Sequence, residues 1–135
     1  IDRAVRFWTA TLGFEARSVS PRAGDWQARV TGVPGAELNV AHLYGYGAHI
    51  EFIQYTSGAS PAPRISPSMA CAAHVCLEVS GIEETWKRLI AAGASAQGEV
   101  ALVDNGPVRG LKAGYLRDPE GILIELIEVP EPPSP

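Results

Sequence analysis

At 135 residues the chain has the length of one domain and can bury a real core. Lysine and arginine number 11 against 15 aspartates and glutamates, and the net charge of −4 argues against nucleic-acid or anionic-membrane binding. No apolar run approaches the roughly 18–20 residues of a membrane span. Cys71 and Cys76 are too few and too oddly spaced for a disulfide framework or a Cys-x-x-Cys metal site, so both are expected as free buried thiols in a reducing cytoplasm.

The chain opens on Ile1 rather than Met and has no signal-peptide pattern, so residues are expected upstream of it. Ile1, Val5, Trp8 and Leu12 recur at helical spacing, and Gly13 ends that helix. Phe14 to Val19 reads as a strand. Ser20 to Gly35, with its prolines and glycines, reads as a long loop holding a short strand at Trp26–Val30. Glu37–Tyr44 and His49–Tyr55 form a hairpin about Gly45-Tyr46-Gly47. Ser57–Ser68 is a Pro-rich linker. Ala72–Val79 is a strand, and Ser80 with Glu83 makes a capping box ahead of a helix carrying Ile82, Trp86, Leu89 and Ile90. Ser95–Ala101 is a further strand and Asp104–Gly110 a loop. Asp118-Pro119-Glu120-Gly121 is a tight turn feeding the apolar strand Ile122–Ile127. Pro130–Pro135 is a tail.

Glu125 interrupts that last strand. A carboxylate flanked by apolar residues needs a wet cavity, a partner or a metal, because burying it unpaired is very costly. The halves of the chain also repeat: helix, then three strands, the last with a central glutamate, describes Ile1–Tyr55 and again Ile82–Val129. Ile50-Glu51-Phe52-Ile53 thereby aligns with Ile124-Glu125-Leu126-Ile127. The second half has an additional strand before its helix, the one with His74, and its counterpart is expected upstream of Ile1. The organisation expected is a single domain: module one at 1–56, the linker at 57–68, module two at 69–129 and the tail at 130–135.

Phe7-Trp8 before Leu12-Gly13-Phe14, Ile50-Glu51-Phe52, Ala73-His74-Val75, and Leu116–Gly121 leading to Ile124-Glu125-Leu126 together resemble the vicinal oxygen chelate superfamily. That group holds glyoxalase I, methylmalonyl-CoA epimerase, extradiol dioxygenases, and the fosfomycin- and bleomycin-resistance proteins. The resemblance covers nearly the whole chain. It implies an α+β fold of two tandem βαβββ modules, each curling a sheet around a shared cavity, with metal ligands on the first and last strands of each module.

Strand alternation puts Glu125 on the face away from the helix, Glu51 with His49 and Ile53, and His74 with Cys76. Glu51, His74 and Glu125 can thus face one cavity, and two carboxylates with an imidazole suit a divalent ion such as Zn, Ni, Mn, Fe or Co. The resemblance implies a fourth ligand, His or Gln, on the absent strand, and the two glutamates look most like the glyoxalase I set. Taken singly, His74 reads as a satisfied core residue and Glu125 as an ion-pair partner of Arg117 or Lys112; the coincidence of three positions favours the metal. His49, Tyr115, Trp26 and Arg29 are weaker pocket candidates, and His42 is expected near a turn, exposed or behind a ligand.

The function expected is a metal-dependent lyase or isomerase acting on a small substrate with two adjacent oxygens through an enediolate, with Glu51 or Glu125 shuttling the proton. The alternatives are a metal-free drug-binding protein of the bleomycin-resistance type and an extradiol-type dioxygenase. A homodimer is expected, because each module leaves open strand edges that a partner would cover.

Overall fold

The computed structural model describes residues 1–59 and 64–130. The fold is α+β with two sheets, and the chain divides into two compact units, Ile1–Pro63 and Arg64–Pro135. The division falls inside the proline-rich stretch; the part of that expected linker at 60–63 and the tail at 131–135 lie outside the described residues.

In the first unit helix α1 (Asp2–Leu12) precedes three antiparallel strands, β1 (Glu15–Arg22), β2 (Glu37–Gly45) and β3 (Ala48–Ser57), in the order β1-β2-β3. Gly13 ends α1 in the left-handed conformation that glycine adopts at no steric cost. The buried face of α1 is Ala4, Phe7, Trp8 and Leu12, one step round from the expected Ile1 and Val5, which stay half-buried. Trp8 packs edge-on against Phe14 at 5.2 Å and Phe52 at 5.3 Å between centroids. The hairpin turns at Tyr46 (φ 54°) and Gly47 (φ 70°), both positive, the geometry that matches strand twist.

The stretch expected as a loop with a strand at Trp26–Val30 is instead a helix, α2 (Asp25–Thr31). Gly24 and Gly32 bracket it, Asp25 favours its first turn, and Pro21 belongs to edge strand β1, where a missing N–H is harmless. The glycines and prolines that suggested a loop are the punctuation of two regular elements.

The second unit runs β4 (Val75–Glu78), α3 (Ile82–Ala91), β5 (Ser95–Ala96), β6 (Ala101–Leu102), β7 (Lys112–Arg117) and β8 (Leu123–Glu128). Its sheet is ordered β4-β8-β7-β5, with β6 also on β7; β4 runs parallel to β8 and the other pairs are antiparallel. The expected strand at Ser95–Ala101 is two short strands, and β4 starts one residue after His74. Asp118 closes the β7–β8 turn: its Oδ1 accepts from the N–H groups of Glu120 and Ile122, both at 2.9 Å.

Residue parity along β8 sorts the two sides of this sheet. Ile124 and Leu126 are fully buried beside Leu116, as are Ile82 and Leu89 of α3, whereas the odd-numbered side chains take the opposite face. Thr85 replaces Ile90 on the buried side of α3; Ile90 is exposed. Gly114 is the contact point: a Cβ there would lie 2.9 Å from Trp86 Cζ3 and 3.3 Å from the Glu99 carbonyl oxygen.

The capping box does not form. Gly81 is the N-cap of α3 and no cap side chain bonds to it. Glu128, at the end of β8, supplies the acceptor, taking the N–H groups of Gly81 and of Ile82 (3.2 Å) and pairing with Lys112 at 3.2 Å. The backbone bond from Gly81, more than the other contacts, holds the Glu128 carboxyl below its ordinary pKa.

Two outcomes follow from this packing. Gly114→Ala forces Trp86 or the Glu99 backbone to move and is expected to cost about 1–3 kcal/mol, read from urea unfolding. Because the Glu128 pKa is lowered in the folded chain, its contribution is present above the unfolded value and is lost as pH falls through the folded one. Glu128→Gln should therefore lower the melting temperature at neutral pH, with the gap closing in acid. A gap independent of pH would assign the effect to something other than the carboxylate's charge.

Candidate functional site

In the second unit Glu125 stands on the free face of the sheet at the centre of a polar group. Its strand neighbours in register are Cys76 on β4 and Tyr115 on β7. His74, just ahead of β4, brings Nε2 to 3.0 Å from Glu125 Oε2 and to 3.3 Å from the Tyr115 hydroxyl, and its ring stands edge-on to Tyr115 at 5.1 Å. Glu125 keeps 20% of its side-chain surface and His74 39%, so both remain open to a small molecule.

The ion-pair alternatives for Glu125 do not apply among the described residues. Lys112 is taken by Glu83 at 2.7 Å and Glu128, and Arg117 donates to Gln97, Gly121 and Ile65. The carboxylate of Glu125 acts on its neighbours: partial burial, then the charge and hydrogen bond of Glu125, push the Cys76 thiol up. Burial, then the hydrogen bond and charge of Glu125, likewise raise the Tyr115 phenol, which keeps its proton at neutral pH and stays a hydrogen-bond donor.

In the first unit the free face of the β2–β3 hairpin carries cross-strand partners His42 with Glu51 and Tyr44 with His49. His42 Nδ1 lies 2.9 Å from His49 Nε2 and 3.6 Å from Glu51 Oε1. The His49 ring stacks on Tyr44 at 4.4 Å, and Arg17 sits over the other partner of that stack, 4.3 Å from the Tyr44 centroid. Beyond this polar row the same face continues into an apolar cluster of Ala36, Leu38 and Val40, with Val33 and Tyr55 against it. Trp26 and Arg29 both lie exposed on α2.

His74 and Glu125 are thus brought together with Tyr115, and Glu51 with His42 and His49. Among the described residues no three His, Cys, Asp or Glu side chains form a group that could hold a metal ion. His74 Nε2 and Glu125 Oε2 are nevertheless both donor types that a divalent ion accepts. His42, expected exposed or behind a ligand, lies against Glu51, the partner that the hairpin register counted from the turn gives it.

An α+β chain in which each unit covers one sheet face with apolar helix contacts and leaves a histidine–glutamate pair on the other is the class defined here. The model of the Glyoxalase/Bleomycin resistance protein/Dioxygenase superfamily matches residues 1–126, and the chain belongs to that superfamily. A 2-epi-5-epi-valiolone epimerase from an Actinomyces species is 27% identical over 135 residues, spanning 96% of this chain and 74% of the relative. A glyoxalase family protein from Bacillus cereus superposes with a TM-score of 0.81 at 27% identity, over 95% of this chain and 85% of that one. A glyoxalase I variant from Zea mays shares the fold alone, with a TM-score of 0.63 at 15% identity over 95% of this chain and 43% of the maize chain. Among the described residues no helix is long and apolar enough to cross a membrane.

If Glu125 governs the Cys76 thiol, removing its charge lowers the thiol pKa and leaves more thiolate at a given pH. In metal-free protein, Glu125→Gln should speed iodoacetamide labelling of Cys76 near pH 8. An unchanged rate, followed by peptide mass spectrometry, would contradict the coupling.

Proposed function

We propose that this protein is an isomerase or lyase of the glyoxalase type that moves a proton at a carbon beside a carbonyl, on a small molecule bearing two adjacent oxygens. The observation that carries the reading is the His74–Glu125–Tyr115 group, with its 3.0 Å and 3.3 Å contacts, on the sheet face opposite α3. The Actinomyces relative is named as an epimerase, which favours the isomerase form of the reading.

The roles divide by chemistry. Glu125 or Glu51, as a carboxylate, takes the carbon-bound proton and returns it. Tyr115, its phenol kept protonated, donates to the oxygen on which negative charge develops. His74 orients Glu125 through their contact. His49, Trp26 and Arg29 belong to the proposed pocket wall. His74 with Glu125 would hold a divalent cation, which superfamily members often use, and Glu51 is proposed as a ligand from its own unit; when bound the cation supplies Lewis-acid polarisation of the two oxygens. Within this reading the protein is cytoplasmic, in keeping with two free cysteines, which are exposed rather than buried as expected, and a homodimer, since β1 and β3 are edges of their sheet.

The test is proton exchange. Full-length protein loaded with each candidate metal is incubated with a panel of α-hydroxyketones in deuterium oxide, and proton NMR follows loss of the signal at the carbon beside the carbonyl. Exchange is expected, with Glu125→Gln lowering its rate by about two orders of magnitude or more while the melting temperature stays within a few degrees. A protein that only sequesters ligands would bind members of the panel without exchange, which would overturn the enzymatic reading. Sedimentation as a monomer at micromolar concentration would overturn the dimer.

A further inference from the structure

Arg117 is 2% exposed, and its hydrogen-bond acceptors among the described residues are uncharged: Gln97 Oε1 at 3.0 Å, the Gly121 carbonyl at 2.9 Å and the Ile65 carbonyl. A guanidinium has five N–H groups, so these three bonds leave two for another acceptor. A buried cation held only by neutral dipoles is costly unless a counter-charge arrives. A second cation stands beside it. Arg64 and Arg117 line one cavity of about 380 Å³ with Ile65, Ser66, Ala96 and Gln97, and among the described residues no carboxylate contributes to its wall. Arg64 is steered there by a long contact of Nη2 with Ser95 Oγ, 3.4 Å away on β5, the strand paired with the end of β7.

We propose that Arg64 and Arg117 frame a binding site for a small dianionic oxyanion, a phosphate either free or carried as a monoester on a larger molecule. Two guanidiniums balance two negative charges, and their planar forks suit bidentate contact with such oxygens. Gln97, its carbonyl oxygen already engaged by Arg117, has its amide N–H groups available to a third oxygen. Burial first, and then the charge of Arg64, already push the Arg117 guanidinium below its ordinary pKa, the strain that a dianion relieves. The cavity wall shares no residue with the group around Glu125, and its occupancy is measured without any turnover.

The experiment is an NMR titration of the arginine Nε–Hε resonances of the whole chain with sodium phosphate, against sodium chloride at matched ionic strength. Phosphate should shift the Arg117 resonance saturably and chloride should not. Arg64→Ala, a change at the less constrained partner, should weaken binding by about tenfold or more, and Arg64→Lys should recover part of it; circular dichroism confirms that the variants are folded. Glycerol phosphate binding more tightly than inorganic phosphate supports a monoester ligand, and the reverse order supports the free ion. The proposal is overturned by the absence of a saturable shift, by equal affinity in Arg64→Ala, or by acetate binding as well as phosphate.

Discussion

The second unit depends on the parity of a single strand. β8 must satisfy two opposed demands, a dry face for α3 and a face that tolerates a carboxylate, and alternation meets both with six residues. Ile124 and Leu126 fill the first. Glu125 takes the second, where His74 and Tyr115 meet it. Glu128, again of even number, falls beyond the apolar pair and reaches the start of the helix. Two carboxylates three positions apart therefore meet different partners, one the start of a helix and one a histidine and a tyrosine, because they lie on opposite sides of one ribbon. The first unit repeats the device on β3, with Phe52 turned to Trp8 and Glu51 turned to His42.

Much of this was legible in the sequence because it rests on local pattern. The alternation around Glu125, the Asp118–Gly121 turn and the left-handed stop at Gly13 are all written within a few residues. What escaped is non-local. Ser80 and Glu83 have the spacing of a capping box, but Gly81 adopts φ 68° and a carboxylate from 47 residues further on takes the amide. Helix α2 was hidden by its own boundary glycines, and a seven-residue helix gives too few turns for periodicity to show. The pairing of His42 with Glu51 needed the register of the hairpin, and the neutral partners of Arg117 needed the fold.

The site itself was half legible. Glu51, His74 and Glu125 were picked out by face and by family pattern, and the structure describes each with a polar partner on an uncovered side. Cys76 and Tyr115 enter the picture through strand pairing, since only a ladder shows that both stand level with Glu125. Burial first, and the carboxylate of Glu125 after it, push both groups toward keeping their protons.

The bond from Glu128 to the start of α3 has a further consequence for how the chain finds its fold. A parallel pair such as β4 with β8 joins segments about 50 residues apart, and a slip of one position would turn Glu125 toward the helix and Ile124 away from it. In the slipped arrangement Glu128 would also miss the amides of Gly81 and Ile82. The clasp forms only when strand and helix agree on alignment, so it works as a proofreading contact: misaligned pairings lose the helix cap together with the apolar face.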